Sequence, residues 1–231
     1  MSPGSRSKKL GLLGGTFDPV HWLHIFMGAK AIEEGLDEVL YIPNNLPPHK
    51  EKPVLPAKLR SKLLKKAINH RLNPLRKKMK VWDGEIKRGG ISYTYETIEQ
   101  LRKEYGKSTT FYMILGEDSW RSFHKWKNPD KIIREISGFI VVPRDQKSWR
   151  ELLQKNPPGI EELLEKYAFR KPEVKVVYLP PCPISSSMIR DLIRKNREFF
   201  FLVPPWIAKD VRRLYRKYLF ADAKSRENTI E

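Results

Sequence analysis

The chain has a single cysteine, Cys182, in 231 residues. One thiol closes no disulfide within the chain and builds no cysteine zinc cluster; a reducing, cytoplasmic setting is the expectation. Long hydrophobic runs are also missing. None approaches the roughly 20 residues that span a bilayer, and the first ten residues lack the apolar centre of a signal peptide, so no membrane partner is expected. Acidic side chains are scarce relative to basic ones, 27 against 45, which leaves a formal charge of +18. Such a surface attracts polyanions, either phosphorylated small molecules or nucleic acid. No internal repeat and no low-complexity segment appears, and no boundary separates two full domains. With 40% hydrophobic residues, one domain over 10–220 can bury a core, flanked by loose polar segments at 1–9 and 221–231.

Short apolar runs alternate with helical patterns along the chain. Strands are expected near 10–13, 38–43, 78–86, 109–115, 138–143 and 174–179. Helices are expected near 21–34, 58–70, 93–105, 118–124, 129–135, 185–195 and 205–219, and an added helical pair over 147–171 is broken at Pro157-Pro158. This order predicts an α/β fold, a Rossmann-like doubly wound parallel sheet in one domain with a small helical insertion. Ligands of such sheets gather at the carboxyl ends of the strands. The unusual loops all follow strands: 14–24, 43–50, 116–126, 143–144 and 180–190.

The most informative stretch is Leu10 to His24, LGLLGGTFDPVHWLH. An apolar strand runs into Gly14-Gly15, then a turn at Thr16-Phe17-Asp18-Pro19, then a helix start. Glycine allows close backbone approach, and the first N–H groups of a helix lack internal partners, so the segment forms an anion cradle. His21 and His24 are three apart and project from one face. An imidazole there donates hydrogen bonds to phosphate and holds developing charge. Metal ligation is the weakest reading of the pair, because no third or fourth ligand lies nearby in the sequence. Asp18, before Pro19, shapes the turn. Near the other end of the chain, Ile184-Ser185-Ser186-Ser187-Met188-Ile189-Arg190 places hydroxyls and open N–H groups at a helix start, with an arginine further along to clamp phosphate.

These two segments resemble the paired signatures of the nucleotidyltransferase superfamily. Within it, the chain resembles the bacterial-type nicotinate-mononucleotide adenylyltransferases. Four further segments carry that likeness: Pro43-Asn44-Asn45-Leu46-Pro47-Pro48-His49-Lys50; Ser92-Tyr93-Thr94 with Thr97; Gly116-Glu117-Asp118 with Trp126; and Val142-Pro143-Arg144. The likeness covers about Leu10 to Tyr218 and is weakest over 147–171. It implies adenylyl transfer from ATP to nicotinate mononucleotide in NAD biosynthesis, with Mg²⁺ accompanying the ATP and no metal held by the protein itself.

By the same resemblance, His21 and His24 are the catalytic residues facing the transferring phosphate. Gly15, Thr16 and Phe17 line the phosphate cradle; Gly116 and Asp118 meet the ribose; Ser185, Ser186 and Arg190 bind the outer phosphates. On the acceptor side, Trp126 stacks on the pyridine ring and Tyr93 covers the opposite side. Thr94 meets the carboxylate, and His49, Lys50 and Arg144 supply positive charge. One position departs from the family pattern: Leu23 stands where glycine usually precedes the second histidine. Leu23→Gly is expected to leave catalysis intact or to lower the KM for ATP.

Two other readings stay open at this stage. The acceptor is alternatively the amide form of the mononucleotide or another phosphorylated molecule. A nucleic-acid-binding role is disfavoured, because the basic runs Lys65-Lys66, Arg76-Lys77-Lys78 and Arg212-Arg213 are short, scattered and without interleaved aromatics. A homo-oligomer is compatible with the sequence.

Overall fold

The computed structural model describes residues 7–48, 51–167, 172–180 and 182–227. Six strands are β1 (Lys9–Gly15), β2 (Glu38–Pro43), β3 (Met79–Val81), β4 (Thr110–Gly116), β5 (Gly138–Val142) and β6 (Glu173–Val176). The helices are α1 (Trp22–Glu33), α2 (Ala57–Ile68), α3 (Gly84–Arg88), α4 (Thr94–Tyr105), α5 (Glu117–Ser122), α6 (Pro129–Glu135), α7 (Gln146–Gln154), α8 (Pro158–Tyr167), α9 (Ser186–Arg194) and α10 (Pro205–Glu227). A 3-10 turn over Phe123–Lys125 follows α5.

Strand order is β3-β2-β1-β4-β5-β6, and every pair is parallel. This is the doubly wound order, and the expected fold class is present. The sheet reverses direction of growth between β1 and β4, so the loops that follow these two strands diverge there and open a crevice at their carboxyl ends.

Residues alternate across the sheet with period two. Leu13, Val39, Tyr41, Ile114, Ile140 and Val142 enter a core shared with α1, α2, α9 and α10. Leu10, Leu12, Leu40, Ile42, Met113, Leu115, Phe139 and Val141 enter a second core under α4, α5, α6 and α8. Burial on both faces explains why the strands read as continuous apolar runs. Helix α1 approaches β2 so closely that a Cβ on Gly28 would lie 2.1 Å from the Tyr41 hydroxyl. That hydroxyl donates to the His24 carbonyl at 3.3 Å, which fixes the first turn of α1 on the sheet.

Three expectations are corrected. The strand expected over 78–86 ends at Val81, and Gly84–Arg88 forms the short helix α3. Asp83 precedes it and is held by the Ser61 hydroxyl at 2.5 Å, and Glu85 turns inward to accept from Thr97 at 2.6 Å. Helix α10 continues past Leu219 to Glu227, through a run rich in good helix formers. Ordered structure begins before residue 10: Thr110 N–H donates to the Lys8 carbonyl at 2.9 Å, and the Ser7 hydroxyl donates to the Ser108 carbonyl. The expected insertion is the α7–α8 pair. It contributes Leu152, Ile160, Leu163 and Leu164 to the second core, so it is built into the domain rather than laid on its surface.

Candidate active site

The two histidines stand at the mouth of the crevice. His21 is the extended residue before α1 (φ −143°, ψ 173°), and His24 lies one turn in. Their rings are 3.8 Å apart between centroids, tilted by 31°. The His21 N–H donates to His24 Nδ1 at 3.3 Å, which puts the proton of a neutral His24 on Nε2 and makes that nitrogen a donor. The edge of Phe17 packs against the His24 ring at 4.9 Å. His21 is only 4% exposed. Burial pulls its pKa down to about 3, so it is neutral at physiological pH. Its Nδ1 is buried with no hydrogen bond of its own among the described residues, on the side of the ring that faces the His24 backbone N–H in the manner of a capping box.

Below the histidines lies a network that sequence reasoning missed. The Asp18 carboxylate is 4% exposed. It accepts from Val54 N–H at 2.8 Å, Leu55 N–H at 3.2 Å and the Tyr215 hydroxyl at 2.6 Å. Arg190 Nη1 donates to the Asp18 carbonyl at 2.7 Å and lies 3.8 Å from its carboxylate. The Ser186 hydroxyl donates to the Pro19 carbonyl at 2.9 Å. The N-terminus of α9 is therefore bolted to the turn after β1, and the two signature segments form one unit. Ser185 caps α9, accepting from Met188 N–H at 3.1 Å, and its oxygen lies 3.0 Å from that of Ser187.

Gly15 and Thr16 line the same turn, half-buried. Phe17 has a left-handed backbone (φ 50°) and its ring is buried in the first core, so only its backbone can face a ligand. Leu23 is half-buried and packs against that core. Across the switch point, Gly116 ends β4 with open space where a Cβ would stand. Asp118 follows on α5 and is ion-paired with Arg144 after β5; their side chains are 65% and 70% exposed. Glu117 is buried beneath them. Burial raises its carboxyl, but the Arg144 N–H at 3.0 Å and Arg121 Nε at 2.7 Å outweigh that and hold it below the ordinary range.

Of the residues expected on the acceptor side, Tyr93, Thr94 and the loop of Trp126 come together at the start of α4. Tyr93 precedes that helix and Thr94 opens it. Lys127 Nζ lies 4.2 Å from the Tyr93 ring centroid, which brings the loop carrying Trp126 against Tyr93. Trp126 is half-buried, 5.2 Å from Phe123. Gly159 of α8 backs onto His124 so closely that a Cβ would meet the ring at 2.9 Å. His49 and Lys50 lie outside the described residues. No group of three or more His, Cys, Asp or Glu among the described residues is arranged to hold a metal. A depression of about 280 Å³ beside Leu152 and Val174 has neither histidine in its lining.

A parallel sheet with an anion cradle at its switch point, backed by the serine–arginine helix start, defines a nucleotidyltransferase. The cytidylyltransferase-like family profile matches residues 12–192. A Clostridium acetobutylicum protein named "Probable nicotinate-nucleotide adenylyltransferase" is 37% identical over 199 residues, 85% of this chain and 92% of that protein. A Lactococcus lactis protein of the same name is 34% identical over 221 residues, 94% of this chain and all of that protein. The fold is shared with the Plasmodium falciparum nicotinic acid mononucleotide adenylyltransferase complexed with NaAD: TM-score 0.65, 20% identity, covering 93% of this chain and 95% of that one. The chain belongs to the nicotinate-nucleotide adenylyltransferase family, and no helix among its described residues is long and apolar enough to cross a membrane.

Proposed function

We propose that the chain transfers the adenylyl group of ATP to the 5′-phosphate of nicotinate mononucleotide, giving nicotinate adenine dinucleotide and pyrophosphate. An acceptor phosphate oxygen attacks the α-phosphorus, and the bond to the β-phosphate oxygen breaks with its electron pair leaving on pyrophosphate. No protein nucleophile is required. The protein's part is to bring two anions together and to stabilise charge on the transferring group.

The histidine pair over the cradle after β1 is the observation that carries this reading. His24 Nε2–H donates to the transferring phosphate, and neutral His21, whose backbone N–H orients the His24 ring, fixes the geometry beside it. Backbone N–H groups of Gly15, Thr16 and Phe17 serve the same phosphate. Arg190 uses one nitrogen on the turn and turns the rest of its fork toward the outer phosphates, where the α9 N-terminus with Ser185 and Ser186 assists. Asp118 accepts ribose hydroxyls, exchanging its ion pair with Arg144, whose charge then faces the mononucleotide. Trp126 and Tyr93 sandwich the pyridine ring, and Thr94 N–H at the α4 start meets its carboxylate. Mg²⁺ travels with the triphosphate: it is a hard cation content with phosphate oxygens and water, and the buried carboxylates nearest the cleft, Asp18 and Glu117, are already engaged by donors. The domain over 10–220 carries the activity, in the cytoplasm, and a homo-oligomer is compatible with it.

The test is pyrophosphate release from ATP and Mg²⁺ with nicotinate mononucleotide, nicotinamide mononucleotide or a pantetheine phosphate as acceptor. A strong preference for the first is expected. Equal use of the amide transfers the assignment to the alternative acceptor, and salt-sensitive nucleic-acid binding without pyrophosphate release would overturn adenylyl transfer altogether.

A further inference from the structure

Arg60 is a charged side chain with no exposure, on the buried stripe of α2 beside Leu63, Leu64 and Ala67. A guanidinium has five N–H donors. Here all five find oxygens. Nε donates to the Leu55 carbonyl at 3.0 Å. Nη1 donates to the Thr16 carbonyl at 2.5 Å and to Asn44 Oδ1 at 3.3 Å. Nη2 donates to the Asn44 and Asn45 carbonyls, each at 2.9 Å. No carboxylate among the described residues comes within ion-pair distance of it. Burying a cation is costly unless every donor is satisfied, and a packing role needs only an apolar side chain. The donor set therefore serves the segments it holds.

Those segments are the phosphate cradle after β1 and the acceptor loop after β2. They are laced together further: Asn44 N–H donates to the Gly15 carbonyl at 3.0 Å, and Asn44 Nδ2 to the Thr16 hydroxyl at 3.1 Å. A peptide plane is rigid, and its C=O and following N–H point in opposite directions. Drawing the Thr16 carbonyl inward to Arg60 turns the Phe17 N–H outward. Drawing the Asn45 carbonyl inward does the same for the Leu46 N–H. The third plane displays the effect: the Asn44 carbonyl points at Arg60, and the Asn45 N–H across the plane donates to Ser92 Oγ at 2.9 Å. Ser92 lies two residues before Thr94, so the lacing reaches the acceptor side of the cleft.

We propose that Arg60 is a positioning residue for adenylyl transfer, a five-pronged clamp that aims the N–H donors of the ATP cradle and fixes the acceptor loop in register with it. It rests on the adenylyl-transfer reading and adds a residue that touches neither substrate. Arg60→Lys keeps the charge but offers three donors on a point-like head, which cannot span oxygens from four residues. In the purified full chain, R60K is expected to raise KM for both ATP and nicotinate mononucleotide and to lower kcat per folded molecule about 10- to 100-fold, as small misplacements at a reacting centre do. Asn44→Ala removes only the amide between Arg60 and Thr16; it is expected to shift both KM values the same way by a smaller factor. The double variant is expected to be no worse than R60K alone, because both act on one clamp.

A purely structural arginine gives a different result: fewer folded molecules, with KM unchanged in those that fold. Circular dichroism and thermal melting set the folded fraction. Calorimetric affinity for an ATP analogue with a methylene between the α- and β-phosphates reads the cradle independently of the acceptor. Folded R60K with kcat, both KM values and analogue affinity within twofold of the parent overturns the clamp. If R60K does not fold, N44A decides, and unchanged KM values overturn it. Absence of pyrophosphate release in the parent chain sinks the adenylyl-transfer reading instead, while analogue affinity still judges Arg60.

Discussion

The two sides of the cleft are built on different plans. On the β1 side the groups are buried and largely backbone-directed: Asp18 holds N–H groups and Arg60 holds carbonyls, Tyr215 donates to the Asp18 carboxylate, and His21 is buried beside them. On the β4–β5 side the groups are side chains in partial or full contact with water: Asp118, Arg144, Tyr93, Lys127 and half-buried Trp126. In the proposed reaction phosphate is the invariant part of the chemistry, and it is assigned to this buried, hydrogen-bonded cradle, where fixed dipoles need no reorganisation. The acceptor ring is assigned to the side whose groups meet water. Even there the backing is firm, since α8 braces the 3-10 turn at His124 and Glu117 anchors Arg144 from below.

Breaking each side tests the contrast. The largest effect is expected from paired aspartate variants. Asp18→Ala strands three buried donors beside Arg190 and is expected to lower unfolding free energy by about 3–5 kcal/mol, whereas Asp118→Ala, on an exposed pair, stays within about 0.5 kcal/mol; urea melts of the two measure it. Equal losses would erase the distinction. His24→Ala comes next. Its kcat is expected to fall at least about 100-fold, with the melting temperature little changed, and a value within about threefold of the parent removes His24 from the chemistry.

The third effect is a pH dependence. The folded pKa of His21, about 3, lies below its unfolded value of 6.5. Between these values the unfolded chain binds more protons, so His21 destabilises the fold progressively as pH falls from 6.5 toward 3 and has no such effect above 6.5. The slope is at most about 1.4 kcal/mol per pH unit. His21→Gln is expected to flatten melting curves measured across that window; an unchanged slope would assign the acid sensitivity elsewhere. The smallest effect sharpens the other side: Trp126→Ala is expected to raise acceptor KM about tenfold, one stacked ring being worth about 1–3 kcal/mol, with ATP KM unchanged. A rise in ATP KM alone would put Trp126 on the wrong substrate.

The sheet was legible because Gly or Pro closes the apolar runs of β1, β2, β4 and β5, and the histidine pair because its spacing places both rings over one turn. Gly84 to Ile86 read as a strand because Val81, Trp82 and Ile86 prolong an apolar pattern; the Asp83 contacts that accompany the helix come from Ser61 and Lys65 of α2, 22 and 18 residues earlier. Asp18 read as a turn former because its three donors lie at residues 54, 55 and 215. Arg60 hid in a lysine-rich helix that looks like a solvated face. The signal was there in the period: Arg60, Leu63, Leu64 and Ala67 fall on one stripe, so the arginine occupies a core position.

Tyr215 and Arg190 also set a timetable. Synthesis runs from residue 18 toward residue 215, so the turn after β1 leaves the ribosome before any partner of its central carboxylate, and Arg190 and Tyr215 come last. The cradle is finished only when α9 and α10 arrive and dock. A nascent chain arrested before residue 190 thus carries both histidines on an unassembled turn, and competence to handle ATP is acquired late, together with closure of the first core.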